Sequence, residues 1–176
     1  TNVPEGLAWS WRTISSKEPF SEGVPESRKD IDKVVIVLTD GANTYGDLSK
    51  ANNGDVTGTE STYGAFGFSG YAGNTGTNGL ATRSDASNVA RIFLNTSAPK
   101  TTHDATNFQK AMDEKMLDIC DNIKGEKIML MTVALDLNPD YESTASEKAQ
   151  VNKAIETLTS CAGTSRVRKD GSGNPA

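Results

Sequence analysis

Apolar positions fall on this chain in two unbroken runs and three helical stripes. Val3, Leu7, Trp11 and Ile14 share one face at a spacing of about 3.6 residues, which predicts a helix over 3–14 with Thr1 or Asn2 as its cap. Pro4 falls in the first turn, where its missing N–H costs nothing. Pro19 and Pro25 then mark an exposed loop. Val34-Val35-Ile36-Val37-Leu38 is a mostly β-branched run without polar alternation, and it ends in Thr39-Asp40-Gly41. It reads as a strand buried on both faces, as in a parallel sheet. Phe108, Met112, Met116, Ile119, Cys120 and Ile123 form the second stripe. They predict a helix over 107–123, opened by a Thr106–Gln109 capping box and closed by a left-handed Gly125. Ile128 to Leu135 reads as a second buried strand. Thr144 and Glu147 form a capping box for a third helix over 144–160, with Val151, Ile155 and Leu158 inward.

The order is helix, strand, long interruption, helix, strand, helix. This is an α/β pattern: an open, mainly parallel sheet with flanking helices. Val89–Leu94 adds either a third strand or a short helix after Ser87 or Asn88. Two or three strands are few beside the ~5–6 of an average sheet. The expectation is therefore a domain incomplete at its N-terminus, cut before its first strand.

Composition explains the interruption. Of 16 glycines, ten lie between Gly41 and Gly79, in a stretch rich in Asn, Thr and Ser. Such a stretch buries little apolar surface, so 41–88 reads as an irregular insertion or lid, and the whole of 46–104 as an insertion within one domain of 176 residues. The net charge of -5 and a pI near 4.9 argue against a nucleic-acid partner, which wants a basic face. No apolar run approaches the ~18–20 residues that cross a bilayer, and the polar first residues do not read as a signal peptide. Enzyme constellations are missing. Gly67-Phe68-Ser69-Gly70 is not a nucleophile elbow, there is no phosphate loop, and the one histidine, His103, lies in a polar loop without a nucleophile assigned to it. The expectation is a chain that is not an enzyme.

Two features resemble a von Willebrand factor A domain. One is the apolar strand Val34–Leu38 running into Thr39-Asp40-Gly41; the other is Thr1-Asn2 capping a helix about forty residues upstream. More finely, Thr1-Asn2-Val3-Pro4-Glu5-Gly6-Leu7-Ala8-Trp9 is similar to a stretch of the TadG-type pilus-assembly proteins of bacterial tight-adherence systems. So are Met112 to Met116, Ile119-Cys120, Ile123-Lys124 and the strand from Ile128, with a second cysteine near Cys161. The resemblance covers residues 1–45 and 105–163.

It implies a non-enzymatic protein-binding or assembly module of a bacterial envelope or pilus, periplasmic or extracellular, or tethered to the inner membrane by a segment before Thr1. Its partners would be envelope or pilus proteins. It also implies a metal-ion-dependent adhesion site at the carboxyl edge of the sheet, in which Mg²⁺ takes octahedral oxygen ligands at ~2.0–2.1 Å. Thr1 and Asp40 would be two of its ligands. The Asp-x-Ser-x-Ser turn that supplies the rest has no good counterpart: Asp85-Ala86-Ser87-Asn88-Val89 lacks the second Ser, and Asp170-Gly171-Ser172-Gly173-Asn174 follows no buried strand. Mg²⁺ thus belongs to the intact domain, and weak or no binding is expected of residues 1–176.

Plainer readings stand beside these. Asp40 also reads as a turn residue, and Thr1 as a helix cap. Cys120 and Cys161 read as two buried thiols, or, in an exported chain, as a disulfide joining the second helix to the end of the third. Tyr45, Tyr63, Phe66, Phe68 and Tyr71 punctuate the Gly-rich insertion, either as a partner-binding surface or as pins to the sheet edge. The rival function is a metal-independent carbohydrate- or surface-binding module acting through those aromatics. Asn95-Thr96-Ser97 is a glycosylation sequon of a kind that arises often by chance.

Overall fold

A computed structural model describes residues 2–28, 30–40, 42–44, 63–64, 67–68, 91–99 and 105–163. The elements are α1 (Val3–Ile14), β1 (Val34–Thr39), β2 (Tyr63–Gly64), β3 (Gly67–Phe68), α2 (Ala105–Gly125), β4 (Met129–Ala134) and α3 (Ala145–Cys161), with short 3₁₀ turns at Arg91–Phe93 and Pro139–Tyr141. β1 and β4 pair in parallel, Val34 opposite Met129 through Thr39 opposite Ala134; β2 and β3 form a separate antiparallel pair. The fold is thus mixed helix and strand, with a two-stranded parallel sheet and flanking helices.

All three main helices pack against one face of that sheet. Val35 and Leu130 point into a core shared with Val3 and Leu7 of α1, Met116, Cys120 and Ile123 of α2, and Leu158 and Cys161 of α3. Leu130 also accepts at its carbonyl from Gly163 N–H (2.8 Å), so the chain leaving α3 follows the outer edge of β4. A Cβ at Gly163 would lie 3.3 Å from that carbonyl oxygen, which favours the bare backbone there.

Several expectations need correction. The strands are covered on one face only: Ile36 and Leu38 are 62% and 63% exposed, and Val34, Met131, Val133 and Leu135 are exposed beside them. An unbroken apolar run signals a strand but carries no alternation from which to read a bare face. Among the described residues β1 pairs with β4 alone. Thr106 lies inside α2 rather than capping it, and the left-handed residue after α2 is Lys127 (φ 63°), not Gly125. Val151 and Ile155 are half-buried; the inward face of α3 is Ala154, Thr157, Leu158 and Cys161. Of the two readings of Val89–Leu94, strand or short helix, the described part takes the helical one, a 3₁₀ turn at Arg91–Phe93. The bounds of α1 and the Thr144–Glu147 capping box are as read.

At the amino end of the sheet, polar side chains fasten the long loop after α1. Glu126 accepts from Trp11 Nε1 (2.8 Å) and from Lys17 Nζ (2.7 Å), tying α1 to the α2–β4 turn. Glu26 accepts from Lys33 Nζ at 2.7 Å and from Ser16 Oγ at 2.9 Å. The Lys33 bond, aided by Ser16 and opposed by burial, lowers the Glu26 carboxyl from 4.5 to about 2. A carboxyl depressed on folding stabilises fully above its unfolded value. That contribution falls away as pH drops from about 4.5 through about 2. Glu26→Gln is therefore expected to lower Tm near neutral pH, by a deficit that shrinks on acidification through this window. Thermal melts of both proteins across a pH series check it; a deficit that is flat with pH would contradict the ion pair.

Candidate protein-binding site at the carboxyl end of β1

β1 delivers two polar residues to its carboxyl end. Thr39 is buried and its carbonyl accepts from Leu135 N–H at 2.9 Å, closing the ladder; Asp40, next along the chain, is exposed. The first turn of α1 lies against the same end. A groove of about 270 Å³ is lined by Asn2, Val3, Gly6, Leu7 and Ser10 from that helix region and by Ile36–Thr39 from β1. None of those side chains is charged.

A helix leaves its first four N–H groups without intrahelical acceptors. Here two asparagines share the work. Asn2 is the cap: its side chain accepts from Glu5 N–H (3.2 Å). Asn43, from the segment after Asp40, accepts at Oδ1 from Val3 N–H (3.0 Å). The other end of the Asn43 carboxamide donates from Nδ2 to Asp113 Oδ1 of α2 at 2.8 Å, and contacts the Met116 sulfur at 3.6 Å. The amide orientation is forced, because Val3 offers only a donor and Asp113 faces it as an acceptor. Burial pushes the Asp113 carboxyl above its ordinary value, against the Asn43 hydrogen bond and the attraction of Lys153.

Asp40 is the one expected metal ligand among the described residues; Thr1 lies outside them. Among the described residues no group of three or more His, Cys, Asp or Glu side chains could hold a metal ion. One exposed carboxylate does not make the octahedral oxygen set that Mg²⁺ requires, so the donors described here do not fit that ion. Of the expected contact aromatics, Tyr63 and Phe68 stand opposite each other in the β2–β3 pair, while Tyr45, Phe66 and Tyr71 lie outside the described residues. So do His103 and both near-matches to the adhesion turn, Asp85–Val89 and Asp170–Asn174. Asn95 of the sequon is exposed, at φ 59°. Cys120 and Cys161 are joined in a disulfide, with Cα atoms 5.2 Å apart.

Sequence pattern alone assigns no role to Asn43 or Asp113. Asn43 follows an Asp-Gly and looks like turn chemistry. Asp113 follows Met112 and precedes Met116 by three positions, which puts a carboxylate beside the apolar stripe of α2; that placement was the available signal. Comparison with protein-family models, with curated proteins and with solved structures finds no match to this chain.

Proposed function

We propose that this chain is a von Willebrand A-like module that binds proteins in a bacterial envelope or pilus-assembly system of the tight-adherence kind, and that it performs no catalysis. The observation that carries the reading is the exposed Asp40 at the carboxyl end of a parallel strand, next in the chain to Thr39, which lines a groove with the first turn of α1. Ligand sites of open α/β sheets lie at that end. The Cys120–Cys161 bond supports an oxidising compartment, periplasmic or extracellular. No helix among the described residues is long and apolar enough to cross a membrane. In this reading the sheet belongs to a larger, mainly parallel one, since such sheets are covered on both faces. The adhesion site is then only partly contained in residues 1–176, and the Asp-x-Ser-x-Ser turn is supplied from outside them.

The rival reading, a metal-independent carbohydrate- or surface-binding module, is favoured by the pairing of Tyr63 with Phe68 in a Gly-rich hairpin. Two measurements separate the readings. Calorimetric titration of residues 1–176 with Mg²⁺ is expected to give no sub-millimolar affinity. Capture of tight-adherence envelope proteins by the longest natural form of the chain is expected to fail with chelator and with Asp40→Ala. Capture that survives both, but is lost on deleting residues 46–88, would transfer the function to the insertion.

A further inference from the structure

We propose that Asn43 and Asp113 are the positioning residues of the Asp40 edge: together they lock the segment after β1 onto the first turn of α1, so that Asp40 is presented in one place relative to that helix. The importance of Asp40 rests on the function proposed above; the lock itself does not.

The geometry is specific. One carboxamide bridges three elements, reaching Val3 across 40 positions and Asp113 across 70. Asn43 is 4% exposed and Asp113 8%. Unmaking either bond would leave a buried polar group without its partner, at a cost well above that of a surface hydrogen bond. Asp40 is thereby held from both sides. Thr39, before it, is fixed in the β1–β4 ladder, and Asn43, after it, is fixed by the lock. Only residues 41 and 42 intervene between Asp40 and Asn43, so at ~3.3–3.6 Å per residue Asp40 cannot travel more than about 10 Å from Asn43.

Around Asn43 the junction is a packing centre, although on its other side Asp113 and Thr157 also line a groove of about 480 Å³ between α2 and α3. Val3, Ala42, Asn43, Asp113, Met116, Ala154, Thr157 and Leu158 enclose only about 10 Å³. That is marginal even for one water. A site for a ligand needs room, whereas a joint between α1, the segment after β1, α2 and α3 needs none.

A merely stabilising pair and a positioning pair differ in where they act. Amide hydrogen exchange on the chain 1–176 distinguishes them without any partner. Asn43→Ala and Asp113→Ala are each expected to speed exchange at Val3, whose N–H is held by Asn43 Oδ1, by about tenfold or more relative to any change at Leu130 and Leu158 in the core, and to shift or broaden the Asp40 and Ala42 amide resonances. Asp113→Asn, whose side-chain oxygen can still accept from Asn43, is expected to restore most of the protection. A uniform acceleration at Val3, Leu130 and Leu158 alike would overturn the proposal, as would Asp113→Ala leaving Val3 exchange and the Asp40 and Ala42 resonances unaffected. Should both alanine variants fail to fold, the wild type decides: the Asn43 side-chain amide protons are expected to be slowly exchanging and distinct, and solvent-averaged ones would refute the lock. Loss of the exchange pattern sinks the lock. Retention of the pattern with no Asp40-dependent capture sinks the function and leaves the lock standing.

Discussion

Replacing Cys120 and Cys161 together by serine is expected to lower the stability of the folded chain by about 2–5 kcal/mol. The cysteines are 41 positions apart, and the chain-entropy account puts the closure of a loop that long at about 4 kcal/mol. Both are fully buried, where α2 meets the end of α3, in the same core cluster as Leu130. The serine hydroxyls would add a polar cost in that apolar setting. The comparison to make is the guanidinium midpoint of the oxidised protein against the double variant. A difference under about 1 kcal/mol would mean that the bond does little to hold the fold, and two free thiols titrated in the non-reduced protein would mean that it does not form.

An effect of similar size is expected from Phe93→Ala, about 3–5 kcal/mol, as for other large aromatic truncations in a core. Phe93 and Phe108 are both fully buried, with ring centroids 4.8 Å apart. Ile92 and Ala98 are buried beside them. The backbone is fastened as well: Glu114 of α2 accepts from Ser97 at both N–H and Oγ, and Lys115 Nζ donates to the Leu94 carbonyl at 3.0 Å. Residues 91–99 are therefore expected to unfold together with α2, although the Gly-rich composition upstream places them in an insertion running to residue 104. Denaturant unfolding of Phe93→Ala and Phe108→Ala checks this. A change below about 1 kcal/mol in either would return the segment to the insertion.

What the sequence made legible follows how local each feature is. The start of α1 is written in neighbouring residues, Asn2, Pro4 and the Val3–Leu7 spacing, and so is the Thr144–Glu147 cap of α3. The cysteine pair could be paired on paper because both fell on elements expected to lie side by side. The bare face of β1 and β4 was illegible because an apolar residue at every position fits a strand covered on two sides as well as on one. The Thr106–Gln109 motif misled because α2 begins at least a residue earlier, so a capping pattern occurs inside the helix. The Asn43–Asp113 bond joins residues 70 apart, and no local rule says which buried carboxylate a turn asparagine will meet. At the candidate site, the strand and Asp40 could be read beforehand; the joint that holds them could not.

The exposed apolar side chains of β1, Val34, Ile36 and Leu38, also bear on self-association. Val34-Val35-Ile36-Val37-Leu38-Thr39 has six strand residues with no charge, proline or glycine, the composition of segments that stack into cross-β fibrils. Its ends are guarded. Lys33 precedes it and Asp40 follows it, with Asp30 and Asp32 close upstream. Charges flanking an unavoidable apolar strand act as gatekeepers, since in-register stacking would pile like charges on one another. Asp40 thus also sets a negative charge at the end of an uncharged apolar strand, a placement that opposes in-register stacking whether or not it binds a metal or a partner.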